Sequence, residues 1–162
     1  MGLSFVHFMD SVCLLDRFFE VSAEKILVTR SEYASLDRLT KRGYLRADTV
    51  RWLKSKKLIE ALPAPGRRGT AVDEVDTAIQ TTVDRFKQMK IKFLISEDAN
   101  LRNRLKSRGV RVISTVDVIA HMAKKGSITK PEASLALEAL RSFHWYDDKV
   151  LDAVQRRIEE GR

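Results

Sequence analysis

Residues 94–115, LISEDANLRNRLKSRGVRVIST, decide how this chain is read. An apolar run ends in Ser96, Glu97 and Asp98, and a polar, basic stretch follows. Gly109 then precedes a second β-branched run that closes on Ser114 and Thr115. The pattern is strand, helix, strand, with strands at 92–96 and 110–114 and Gly109 at the C′ position of the helix between them. Two strands joined through a helix read as parallel neighbours. Ligands of open parallel sheets bind beyond the carboxyl ends of the strands, which is where the acidic pair Glu97-Asp98 falls.

Outward from this unit the same alternation continues. SFVHFM, at 4–9, reads as an apolar strand that ends in a third acid, Asp10, and 12–20 carry a helix-like apolar face. ILVT (26–29) reads as a strand, followed by a helix that Ser31 would cap. RADTVRWLKSKK (46–57) reads as a basic helix, LIEAL as a short strand at the sheet edge, and PAPGRRGT as a loop. From Ala71 to about Met89 the residues Val72, Val75, Ile79, Val83 and Phe86 form one helical stripe. Three more helices are expected, at 116–125 before Gly126, from Pro131 to Phe143, and from Asp147 to Glu160. Strands alternating with helices predict an α/β chain whose mostly parallel sheet is covered on both faces. With 162 residues, one domain spanning 1–162 is expected.

Composition excludes several classes. The chain is 44% apolar and 32% charged, as a globular protein is. No apolar run reaches the roughly 18 residues of a membrane span, and the start lacks a signal-like pattern. A cytoplasmic location is the expectation. Cys13 is the single cysteine, so an intramolecular disulfide and a thiolate zinc cage are ruled out. Its apolar surroundings predict a small buried residue, and His7 is expected on one face of the first strand.

Charge is concentrated. Between Arg38 and Arg68 lie ten of the 30 bases and two of the 22 acids, a local excess of +8 that equals the net charge of the whole chain. The cluster LRNRLKSRGVR adds five more bases without an acid. Such footprints suit polyanions, because Lys and Arg neutralise phosphates and release counterions, although a basic run also serves as a solvated helix face. Tyr44 and Trp52 interleave with Arg42, Arg46, Arg51 and Lys54, an arrangement able to stack on unpaired RNA bases; for Trp52 packing under its helix is favoured. Arg42, Arg46, Arg51, Arg67, Arg68 and Arg102 are the candidate RNA contacts.

At this point the chain resembles the PIN-domain ribonucleases, in particular the small prokaryotic toxins of VapBC-type toxin–antitoxin pairs. FMDSVCLL looks like the family's opening strand and its Asp, ILVTRSEYASLDRL like its second strand and helix, and DEVDTAIQ like the acidic start of its central helix. LISEDANLRNRLKSRGVRVIST is similar to its strand, Ser/Thr-x-Asp turn, basic helix and final strand. The tail from Val118 resembles the closing helices of one subgroup. The resemblance implies a three-layer α/β/α sandwich and a metal-dependent endoribonuclease acting on RNA. It also implies an antitoxin partner and a homodimer.

It further implies an acidic site for Mg²⁺ or Mn²⁺, whose bound water would be activated for in-line attack on a phosphodiester. Asp10 and Asp98 take the places of metal ligands, with Ser96 and Thr115 as supporting hydroxyls. Glu74 and Asp76 match the central-helix acid by two different alignments, and both stay open. Glu97 fits an outer acid or an exposed one. Asp10 and Asp98 have a plainer reading as turn acids or helix caps. One departure stands out: the acid expected on the second helix falls at Ser35. Glu32, one turn earlier on the same face, either replaces it or is a solvated surface residue. A degenerate, non-cleaving module that binds RNA or protein is therefore the second reading.

Overall fold

The apolar run at the start of the chain forms a helix, not a strand. In this computed structural model, which describes residues 2–22, 25–61, 74–91 and 93–161, helix α1 covers Gly2–Ser11. The side chains of residues 2 and 74–78 lie outside that description. Within α1, Leu3, Phe5, Val6, Met9 and Asp10 are buried while Ser4 is exposed, which is the three-and-four spacing of a helix face. A six-residue apolar run carries no period of its own, and here tertiary burial chose the helix. The chain leaves α1 through Cys13, whose φ is +57°. Its amide donates to Asp10 O, and that of Leu14 to Met9 O, a left-handed helix stop in which the next apolar residue returns to the core. Cys13 is accordingly exposed, contrary to the buried position expected from its neighbours.

Helix α2 spans Leu15–Ser22, later than the expected 12–20. Strand β1 (Ile26–Val28) leads through α3 (Arg30–Lys41) and α4 (Ala47–Ser55) to β2 (Ile59–Ala61). The two strands pair in parallel, Ile26 opposite Ile59 and Val28 opposite Ala61. Thr29, not Ser31, caps α3, in a box completed by Glu32. The expected basic loop with Arg67 and Arg68 lies outside the described residues. Helix α5 (Glu74–Gln88) precedes β3 (Leu94–Ile95), α6 (Ala99–Lys106) and β4 (Val112–Ile113). Strands β3 and β4 are also parallel, Leu94 opposite Val112 and Ile95 opposite Ile113. The chain ends in α7 (Thr115–Lys124), α8 (Lys130–Ser142) and α9 (Asp148–Glu160).

The protein is thus mixed α/β and mostly helical. Its described strands form two parallel two-stranded ladders, β1–β2 and β3–β4. The second ladder divides two cores. Leu94 and Val112 pack with Ile79, Val83, Phe86 and Leu105 from α5 and α6. Ile95 and Ile113 pack on the larger core of α1–α4 and α7–α9. Alternate residues facing opposite ways are what a strand buried on both sides requires. No described helix is long and apolar enough to cross a membrane.

Helix α7 shows how caps tie the layers together. Ser114 is its N-cap. Asp117 accepts from the Ser114 amide and hydroxyl at 3.0 and 2.7 Å, and from Arg157 of α9 at 2.9 Å. Burial pushes the Asp117 carboxyl up, but the Ser114 bonds and Arg157 outweigh it and hold the group below its ordinary value. A depressed carboxylate contributes stability above its unfolded value near pH 4, and that contribution is lost as pH falls through the folded value. Asp117→Asn should therefore cost about 1 kcal/mol at neutral pH. Urea denaturation at pH 7 and pH 3 checks this: the variant's loss should shrink in acid, and a loss equal at both pH values would contradict the assignment.

Candidate nucleic-acid interface

The acids expected to gather at the strand ends are each held by other partners. Asp10 sits in the last turn of α1, nearly buried. Arg46 grips it with two bonds, Nε to Oδ2 at 2.9 Å and Nη2 to Oδ1 at 2.5 Å, and Thr49 Oγ1 adds a third at 2.9 Å. A bidentate guanidinium and a buried hydroxyl leave this carboxylate as a clasp between α1 and α4. The hydrogen bond to Asp10, then its charge, raise the Arg46 guanidinium above its already high ordinary value.

Glu97 and Asp98 do follow β3, as expected. Asp98 is exposed and caps α6, accepting from the Leu101 amide at 3.0 Å. Its own amide donates to the hydroxyl of buried Ser96 at 3.3 Å, and Arg102 donates to Ser96 O at 2.9 Å. Glu97 turns inward. Its Oε1 accepts from the amide and hydroxyl of Thr115, at 3.1 and 2.5 Å, and its Oε2 from the Tyr146 hydroxyl. Thr115 is wholly buried at the start of α7. Burial first, then the Glu97 charge, push the Tyr146 hydroxyl well above the usual phenol range, so it stays a donor. Sequence reading placed Thr115 near this point and missed Tyr146, which arrives from 49 residues away.

Glu32 closes the capping box of α3, accepting from the Thr29 amide and hydroxyl at 2.9 and 2.8 Å. Ser35, in place of the expected acid, donates back to Ser31 O at 2.7 Å and accepts from Arg38 at 3.0 Å. Glu74 and Asp76 fall on the first turn of α5, where side chains are outside the described set. Among the described residues no three of His, Cys, Asp and Glu come together as metal ligands. The described acids do not fit the Mg²⁺ or Mn²⁺ centre that the resemblance implies, because the oxygens of Asp10 and Glu97 are filled by donors of the chain.

The bases and aromatics do come together. Helix α3 ends in a left-handed turn at Gly43 (φ +77°), which brings out Tyr44 between exposed Arg42 and Arg46. Helix α8 ends the same way at His144 (φ +54°), delivering Trp145. Between these turns lies His7 of α1, 6.4 Å edge-on from the Tyr44 ring and 4.8 Å from Trp145. Trp145 is stacked on Phe8 at 4.4 Å and on Phe143 at 4.6 Å. The result is a file of rings from Tyr44 to Phe143, whose end members are 57% and 48% exposed. Trp52, by contrast, packs edge-on against Phe19, as favoured for it. Arg51 is exposed and only loosely paired with Asp48, at 3.4 Å.

No family model, curated protein or solved structure compared with this chain matches it.

Proposed function

We propose that this chain binds single-stranded RNA along the Tyr44–His7–Trp145–Phe143 file, as a module that does not depend on metal-driven cleavage. The observation that carries the reading is that file, with exposed Arg42 on the same turn as Tyr44 and with Arg46 holding that turn through its clasp on Asp10. The exposed end rings, Tyr44 and Phe143, stack on unpaired bases of any sequence, and the adjacent Arg42 guanidinium follows the phosphates. The local +8 excess supplies the long-range attraction. The three-layer α/β/α sandwich of the resemblance belongs to this proposal as its scaffold.

Metal-dependent endoribonuclease action, the first expectation from the sequence, is kept here as the second reading, because Glu97 and Asp98 do lie at the carboxyl end of β3. The antitoxin and homodimer of the resemblance go with that reading. One assay separates the two. A short fluorescein-labelled oligouridine is titrated with protein and followed by anisotropy, while a gel follows its length in Mn²⁺, Mg²⁺ or EDTA. Binding is expected to fall steeply with salt, and Tyr44→Ala should weaken it about ten-fold with the RNA left intact. Cutting in Mn²⁺ that Asp98→Asn abolishes would replace this reading with the nuclease. Absence of affinity at low salt would remove both.

A further inference from the structure

A cavity of about 320 Å³ opens between the two ladders. Its walls include Ile26 and Leu27 of β1, Phe93, Leu94 and Ile95 at β3, and Phe5, Phe18 and Phe86 from the helices. Each ladder turns one edge towards it. The Ile26 amide donates to Leu58 O, at the β2 side, so strand alternation points the N–H and C=O of Leu27 the other way. The Leu94 and Ser96 amides donate to Arg111 O and Ile113 O, at the β4 side, which turns those of Phe93 and Ile95 away from β4. Leu27, Phe93 and Ile95 all line the cavity. Among the described residues, β1 pairs only with β2 and β3 only with β4.

The edges and charge of the space describe its occupant. An extended strand lies about 4.8 Å from its neighbour, and the edges of β1 and β3 offer it backbone partners at Leu27, Phe93 and Ile95. Arg85 of α5 lines the same space, and its Nη2 is buried with no hydrogen-bond partner. Lys90 joins it, while Lys25 is paired with Glu60 and the carboxylate of Glu32 closes the capping box with Thr29. A buried guanidinium nitrogen left unpaired is unfavourable, and an acceptor on an occupant would relieve it.

From these features we infer that the cavity is a docking slot for an extended apolar segment of a partner polypeptide carrying one carboxylate, which pairs with β1 and β3 by β-augmentation. The backbone of the segment bonds at Leu27, Phe93 and Ile95, its apolar side chains meet the phenylalanines, and its carboxylate meets Arg85. This inference is independent of the RNA file, which lies on α1, the α3–α4 turn and the end of α8.

The probe is a pool of acetylated, amidated hexapeptides with Val, Ile or Leu at the apolar positions and Glu at one position. Fluorescence anisotropy should show saturable binding, with amide-exchange protection appearing at Leu27 and Ile95. N-methylation of the peptide backbone should abolish binding, and Arg85→Met should weaken it about ten-fold with the circular dichroism spectrum unchanged. Glu-to-Gln pools should reproduce the Arg85→Met loss. Binding that survives N-methylation, protection absent from Leu27 and Ile95, or no binding by any pool would each overturn the inference. So would a dimer by light scattering that excludes the pool, since a second copy would then fill the slot.

Discussion

Glu97→Ala is expected to lower unfolding stability by about 3 kcal/mol, read as a shift of the urea midpoint at unchanged slope. The wild-type carboxylate takes the Thr115 amide, the Thr115 hydroxyl and the Tyr146 hydroxyl. Truncation leaves three donors at the junction of β3, α7 and the α8–α9 turn. Thr115 is wholly buried, and each stranded buried donor costs about 1–3 kcal/mol, reduced where water enters. Tyr146→Phe removes one donor together with its need for a partner, so it should cost less, about 1 kcal/mol. The pair also has an alkaline signature. The Tyr146 hydroxyl titrates above its ordinary value. Its contribution is fully present below the unfolded phenol value near pH 10 and is lost as pH rises beyond it. Wild type should therefore lose stability above about pH 10 more steeply than Tyr146→Phe. Equal slopes would contradict the linkage.

The strand–helix–strand unit at 94–115 was legible because local signals agree along it. Two β-branched runs bracket a helix capped by Asp98 and closed by a left-handed Gly109, so propensity, capping and turn chemistry point one way. The other short strands, 26–28 and 59–61, were legible for the same reason. The run at 4–9 was not. Six apolar residues bounded by polar ones satisfy strand and helix alike. What decided between them was the burial of Phe5, Val6 and Met9 on one face, with Cys13 adopting a conformation normally left to Gly. Reading that run as a strand placed Asp10 at a strand end, and the acidic triangle expected with Glu97 and Asp98 depended on it. The grip of Arg46 on Asp10 spans 36 positions and that of Tyr146 on Glu97 spans 49. Neither separation has a sequence period, so both acids looked free. The ring file was half legible: Tyr44 stood out among arginines, but its alignment with His7, Trp145 and Phe143 is purely tertiary.

Asp10→Asn is expected to cost about 2 kcal/mol, and that outcome bears on what the residue is for. The carboxylate is 8% exposed and accepts three hydrogen bonds, while the Arg46 side chain is 70% exposed. Solvent screens the arginine end, which keeps the pair below the 3–5 kcal/mol typical of breaking a fully buried one. The amide of Asn keeps one acceptor for Thr49 or Arg46 and places its NH₂ against the guanidinium. Arg46→Ala removes the other partner and leaves the buried charge to Thr49 alone, a loss of similar size. Combined, the two changes should cost less than their sum by about 1–2 kcal/mol, as residues sharing one interaction do. A metal-site acid would behave in the opposite way. It would be held in place against mutual repulsion, so its neutralisation would leave stability unchanged or raise it. Mn²⁺ would then raise the melting temperature of the wild type and not that of Asp10→Asn. Destabilisation with no Mn²⁺ response makes Asp10 the clasp that fixes α4, and with it the Arg42–Arg46 turn that carries Tyr44. A Mn²⁺-dependent rise confined to the wild type would return Asp10 to a metal centre.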